Sequence, residues 1–292
     1  MLTEKLLTHR LRGFGPPENT GAAMQAACRA GIRYLEIDTR VSLDGAIYVR
    51  HNPWTSLLRS FSIRPTTAST FEDFARAERS ELFRLEEALR LFSSCSNALQ
   101  KLCIDIKDYG FEDLHLELVR QAGLEERVYF VSWIPQTILR LHLLGTTSPL
   151  VLSYCDLGRF GWLGTIMERV LADRCGRVGW FVIIGRNRIA DALGPLAHGF
   201  QHGLFCAALP TTLVDVLRTS RGGICVQRHL VNRKLIRSCT DLDLQLWTFS
   251  VRTKAGFERY AKKSDVDVVF CDRAEAIARA LNEGCISEDR RD

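Results

Sequence analysis

The feature that most constrains this chain is a repeated alternation of short apolar runs with helix-forming stretches along its 292 residues. Runs of strand length occur at 5–8, 34–42, 102–108, 127–132, 149–154, 178–184, 224–227, 244–251 and 266–271. Between them, helices are expected at 22–28 (capped by Asn19 or Thr20), 71–78, 84–92, 111–122, 135–144, 162–173, 232–239, 254–263 and 273–281, with one or two more inside 185–221. Strands separated by helices pair in parallel, because each return to the same edge needs a crossover. About eight such units predict one (β/α)8 barrel, whose chemistry gathers at the C-terminal ends of its strands. No linker or internal repeat divides the chain, so a single domain is expected over 1–286, with a charged tail at 287–292.

The segment Leu35-Glu36-Ile37-Asp38 alternates apolar and acidic residues. In a strand the side chains repeat every second residue, so Glu36 and Asp38 share one face and Leu35 and Ile37 the other. Two neighbouring carboxylates on a buried face are costly unless something positive lies between them. A hard divalent ion would meet that need with oxygen ligands alone. Solvation, or pairing with Arg40 and Arg50, would meet it as well. Leu102 to Asp108 repeats the pattern, placing Asp105 and Lys107 on one face. His9, Glu36, Asp38, Asp105 and Lys107 all fall at or near predicted strand ends. Asp44-Gly45 marks a tight turn whose return run, 46–49, leads to His51. Residues 52–70, rich in Ser, Thr and Pro, read as a loop.

Composition narrows the partners. The net charge of +5 comes without a lysine-rich block, which suits a small anionic substrate and gives no basic face for nucleic acid. The ten cysteines form no C-x-x-C pair and sit mostly in apolar runs, as small buried hydrophobes of a reducing compartment do. With no apolar signal region at the N-terminus and no run long enough to cross a bilayer, a cytoplasmic location is expected.

His9-Arg10, Pro17-Glu18-Asn19-Thr20, Leu35-Glu36-Ile37-Asp38, Asp44-Gly45 and His51-x-Pro53 together resemble the glycerophosphodiester phosphodiesterase family in order and spacing. Ile104-Asp105-Ile106-Lys107 resembles the next motif of that family. Leu246-Trp247-Thr248 and Cys271-Asp272 resemble its C-terminal ones. Residues 150–230 carry little of the resemblance.

The resemblance implies a TIM barrel and metal-dependent hydrolysis of a glycerophosphodiester. It implies His9 and His51 as general acid and base, with Glu36, Asp38 and Asp105 as ligands of one divalent cation, Mg2+ or Ca2+ with Mn2+ as a third option. It places Arg10 and Lys107 on the phosphate. Trp247 is carried over as a substrate-binding residue, although a tryptophan in a strand serves equally as core. Asp272 reads as a structural hydrogen-bonding residue or helix cap, and Ser132 has no partnering base. His115, His142, His198, His202 and His229 fit no pattern.

Four positions depart from the family. Leu11 stands where a glycine usually follows His-Arg, and Asn52 where an aspartate usually follows the second histidine. Asp105 replaces the usual glutamate, and Arg50 an apolar residue. These leave the catalytic residue types intact and bear on substrate. A sugar-phosphodiester hydrolase or synthase of the agrocinopine type is the alternative on this scaffold. A degenerate member that only binds an anion is a further alternative, and the presence of both histidines and all three acids argues against it.

Overall fold

The computed structural model describes residues 2–15, 18–51, 82–156, 160–163, 166, 178–180, 202–206, 208–263 and 265–288. Its strands are β1 Leu6–Thr8, β2 Tyr34–Val41, β3 Ile47–Val49, β4 Lys101–Ile106, β5 Val128–Ser132, β6 Leu150–Asp156, β7 Val178–Trp180, β8 His202–Cys206, β9 Gly223–Gln227, β10 Gln245–Val251 and β11 Val268–Cys271. The helices are α1 Gly21–Arg29, α2 Leu85–Cys95, α3 Glu112–Gln121, α4 Pro135–Leu143, α5 Thr211–Thr219, α6 Arg233–Asp241, α7 Lys254–Ala261 and α8 Ala274–Glu288.

Eight strands pair in parallel and close on themselves in the order β1-β2-β4-β5-β6-β9-β10-β11, with β11 returning to β1. This is the (β/α)8 barrel that the alternation predicts. Its helices start where local chemistry allows. Thr20 Oγ1 accepts from the Ala23 N–H at 3.3 Å, Asn232 Oδ1 from Lys234 and Leu235, and Thr253 Oγ1 from Gly256, each satisfying an N–H that the first turn would leave unpaired. At Gly223 the barrel closes too tightly for a side chain: a Cβ there would lie 2.1 Å from the Gln245 carbonyl oxygen.

The two-residue period sorts the side chains. Leu6, Leu35, Ile37, Leu102, Ile104, Phe130, Leu152 and Leu246 point outward into the layer between strands and helices. Leu7, Cys103, Val131, Val151, Cys225, Trp247, Val268 and Phe270 fill the inside of the barrel. Glu36 and Asp38 on β2, and Asp105 on β4, belong to the inward set, with Asp38 paired to Asp105 in register. None of the eight cysteines whose side chains are described is bridged. No helix among the described residues is long and apolar enough to cross a membrane.

The second half differs from expectation. The apolar run at 178–184 supplies β7, which is not a barrel strand. It pairs antiparallel with β8, and β8 continues the sheet from Tyr154, Cys155 and Asp156 of β6. Within 185–221, where one or two helices were expected, 202–206 is this strand and 211–219 is a helix. A short apolar run encodes a strand but not its partner, so local pattern could not separate a barrel strand from an annex. The loop at 52–70, the helix at 71–78 and most of the helix at 162–173 lie outside the described residues.

Candidate active site and metal centre

β1 ends in a single 3-10 turn, His9–Leu11, that turns the chain across the mouth of the barrel. Arg10 (φ 56°) and Leu11 (φ 58°) both adopt the left-handed region, which costs a residue with a Cβ roughly 1–2 kcal/mol. Glycine would be strain-free at 11, the position where the family usually has it. Here the Leu11 side chain is fully buried, and that burial offsets the strain. The turn aims the Arg10 N–H at Glu36, whose Oε2 accepts it at 2.5 Å. The Arg10 Nε lies 3.3 Å from Asp38 Oδ2 and its guanidinium reaches Glu18 at 3.5 Å.

Glu36, Asp38 and Asp105 are all buried, and one carboxylate oxygen from each lies within 4.8 Å of the others. Lys107 enters from β4 and sets its ammonium between two of them. Nζ lies 2.8 Å from Asp38 Oδ1 and donates a short hydrogen bond to Asp105 Oδ2. Asp38 Oδ1 is in contact with this ammonium but off the hydrogen-bonding direction, so it remains without a directed bond, and the buried Asp105 Oδ1 has no hydrogen-bond partner. Asn19, itself at φ 58°, donates to Asp38 Oδ2 at 3.0 Å, which explains why Thr20 rather than Asn19 caps α1.

The protonation pattern follows from burial and charge. Burial, then the charges of Asp38 and Asp105, push the Glu36 carboxyl well above its usual range. Burial also raises Asp105 despite Lys107. At Asp38 burial pushes the same way but loses to Lys107, His51 and Arg10, which together hold it below the ordinary carboxylate range. Burial lowers Lys107, and Asp105, Asp38 and Glu36 more than restore it, so it stays an ammonium. Three acids face two cations, with unfilled oxygen acceptors among them. The set is all oxygen, and it is compatible with a hard divalent cation at Glu36, Asp38 and Asp105.

The two histidines reach the mouth from separate elements. His9 Nδ1 donates to Asp272 Oδ1 at 2.7 Å, and His9 meets Phe270 edge-on. Asp272 follows β11 directly and also accepts from Ser250 Oγ at 2.7 Å and Arg252 Nε at 3.0 Å. Burial would raise Asp272, but these three donors outweigh it and hold the carboxyl well below its usual range. The anion fixes the His9 tautomer and leaves Nε2 as the nitrogen available for proton transfer. His51 is brought to Asp38 by the hairpin of β2 and β3, through the Arg50 N–H donated to the Asp38 carbonyl at 2.8 Å. Its own carbonyl accepts two 3.2 Å hydrogen bonds from Arg40. Arg40 is nearly fully buried and is paired at 2.7 Å with Asp108. Arg40 thus positions the second histidine and does not neutralise Glu36 or Asp38.

Trp247 is not at the mouth. It is fully buried, low in β10, where its ring packs on Tyr34, Tyr129 and Phe270 and its indole N–H donates to Gln245 at 2.9 Å. It packs in the floor of the barrel, deeper than the strand end at which a substrate-binding role was expected for it. The aromatic residues nearer the mouth are Trp133 and Phe249, in ring contact at 5.6 Å. Ser132 donates to the Ile106 carbonyl and is structural. His115 is fully buried, its Nδ1 donating to the Phe111 carbonyl at 2.8 Å. Asp272, expected as a structural hydrogen-bonding residue or helix cap, is the residue that holds His9, and the sequence does not name that partner 263 residues away. The contact of Arg40 with the His51 carbonyl has no local signal either.

Comparison with known proteins bears on the fold and the family. Structures with the same fold include a glycerophosphodiester phosphodiesterase from Agrobacterium tumefaciens, 17% identical with a TM-score of 0.61, the match covering 94% of this chain and 99% of that one. A glycerophosphodiester phosphodiesterase from Parabacteroides distasonis is 14% identical with a TM-score of 0.63, covering 96% and 98%. An Oleispira antarctica phosphodiesterase in complex with the product sn-glycerol-3-phosphate is 15% identical with a TM-score of 0.61, covering 95% and 96%. No curated protein sequence matches the chain. Residues 9–154, half of the chain, match the family model of the Glycerophosphoryl diester phosphodiesterase family, a span that holds both histidines, the three acids, Arg10 and Lys107. The chain therefore belongs to the glycerophosphoryl diester phosphodiesterase family, and it is a phosphoric diester hydrolase.

Proposed function

We propose that this enzyme hydrolyses a small glycerophosphodiester to an alcohol and a phosphomonoester, with His9 and His51 as its general acid and base. The observation that carries the reading is the convergence on one barrel mouth of His9, fixed by Asp272, and of His51, held beside the acids of β2 and β4. A phosphodiester carries a full negative charge that repels nucleophiles. Arg10 and Lys107 answer it with a guanidinium and an ammonium, and they stabilise the charge that grows on the phosphoryl oxygens in the transition state.

Glu36, Asp38 and Asp105 would hold one divalent cation, Mg2+ or Ca2+ on the strength of an all-oxygen set, with Mn2+ as a third option. When bound, such an ion supplies Lewis-acid stabilisation of phosphoryl oxygen charge. Lys107 is already bonded to Asp38 and Asp105, so it can hand part of its charge to an incoming phosphate without leaving the site. His9 exchanges its proton at Nε2, with Asp272 keeping Nδ1 protonated. One histidine takes a proton from the attacking hydroxyl, whether of water or of the adjacent glycerol carbon. The other gives a proton to the leaving alkoxide as the phosphorus–oxygen bond breaks. The cytoplasm is the proposed location, on the pattern of cysteine usage.

The test is turnover of glycerophosphocholine, glycerophosphoethanolamine, lysophosphatidylcholine and sugar phosphodiesters, with and without EDTA. Release of alcohol from a glycerophosphodiester that EDTA abolishes and a divalent ion restores is the expected result. Selective turnover of the sugar phosphodiesters alone would favour the agrocinopine-type reading, and full activity in EDTA would remove the metal from the account.

A further inference from the structure

On the side of the ring opposite the acids lies a basic wall whose Arg228 and His229 take no part in the chemistry above. In the closed strand order, β9 stands four places from β2, and β10 four places from β4. Arg228 and His229 follow directly on β9, and Arg252 follows directly on β10. With Gln227, Phe249 and Ser250 they line a cavity of about 380 Å³. Ser250 connects this cavity to the reacting end through Asp272 and His9. Arg228 and His229 also border a second cavity of about 590 Å³, to which Arg259 contributes a further cation.

Among the described residues no carboxylate lines either cavity. Arg252 shares Asp272 with His9, Ser250 and Arg12. Among the described residues the exposed Arg228 guanidinium has no acidic partner at all. An exposed guanidinium that lines both cavities, just past a strand on the opposite side of the ring from the acids, is placed to bind an oxyanion bidentately.

We propose that this wall selects diesters whose arm remote from the scissile phosphorus carries a second anion, a carboxylate or a phosphate monoester, bound by Arg228 with Arg252 beside it. The inference rests on the hydrolase reading above. A diester held at its phosphorus by Arg10 and Lys107, just past β1 and β4, would extend one arm across the mouth, over Phe249, to Arg228. A neutral arm would leave the wall solvated, and a cationic arm would be repelled by it.

Two pairs of substrates, the members of each differing by one anionic group, test this. The first is glycerophosphoinositol against glycerophosphoinositol 4-phosphate, and the second is glycerophosphoglycerol against glycerophosphoglycerate. The anionic member of at least one pair should have a kcat/KM about tenfold higher, the pair identifying phosphate or carboxylate as the preferred group. Arg228→Gln should bring that ratio towards one. Arg228→Glu should invert it and improve glycerophosphocholine relative to both, while thermal melting checks that each variant is folded. Equal kcat/KM within both pairs for the parent enzyme, or a preference that both variants retain, overturns the inference and leaves the hydrolase reading standing. Turnover of none of these diesters overturns both.

Discussion

Replacing Lys107 by methionine exposes how the acid cluster is held together. Nζ lies 2.8 Å from Asp38 and closer still to Asp105, and its side chain is only 4% exposed. At 2.8 Å and an effective dielectric constant of about 20, one such contact carries a Coulomb attraction of about 6 kcal/mol, much of it offset by desolvation of the partners. Methionine fills the same space but leaves three buried carboxylates, with His51 and Arg10 as the remaining positive groups named beside Asp38. Breaking a buried pair on one side costs about 3–5 kcal/mol, and the tendency of Glu36 and Asp105 to take up protons keeps the loss near the lower end. The thermal midpoint in EDTA should fall by on the order of 10 °C. A divalent ion bound by the same acids should return stability, about 2.7 kcal/mol at a hundredfold excess over its dissociation constant. The increment should exceed that of the parent enzyme, because lysine no longer competes for Asp38 and Asp105. Urea and thermal unfolding of both proteins, in EDTA and in Mg2+ or Ca2+, measure all of this. A loss below about 1 kcal/mol, or a variant indifferent to divalent ions, would refute the argument that Lys107 and a cation answer the same buried charge.

Two further perturbations probe groups around the cluster. Asp272→Asn keeps an oxygen for Ser250 and Arg252 but can present an N–H to His9 and favour the wrong tautomer, so kcat should fall about 10²–10⁴-fold in steady-state assays of a folded protein; activity within twofold of the parent would dismiss the positioning role. His115 is fully buried, and that burial lowers its pKa from 6.5 to about 4. Its contribution is therefore present above pH 6.5 and lost as pH falls towards 4, worth about 3 kcal/mol in total, and urea midpoints for His115→Gln should change less over that window than those of the parent; parallel curves would contradict the shift.

What the sequence discloses here is whatever depends on local period. The alternation of Leu35, Glu36, Ile37 and Asp38 already places two acids on one face, and the barrel only had to turn that face inward. Asp105 and Lys107 were legible for the same reason, and register then set Asp38 beside Asp105. What depends on which elements meet was not legible. No local signal connects Asp272 to His9 or Arg40 to the carbonyl of His51, since both contacts are made by closure of the barrel and folding of the hairpin. Trp247 was expected at a strand end on the strength of a motif, and a count along the strand puts it deeper. It is the third residue of β10, four short of the C-terminal end, and its pairing with Cys225 and Val268 places it low in the core. The β7–β8 annex was missed because an apolar run of strand length does not name its neighbour.

The central claim is that His9 and His51 serve one phosphodiester in opposite protonation roles. The measurement that tests it most directly is the kcat of His9→Ala and His51→Ala on a natural glycerophosphodiester and on its p-nitrophenyl counterpart. Both variants should lose about 10²–10⁴-fold on the natural diester. A p-nitrophenolate leaves without protonation, so the activated substrate should rescue the variant lacking the general acid and fail to rescue the one lacking the base. Near-normal rates for both variants on the natural diester, or equal rescue of both by the good leaving group, would contradict the account.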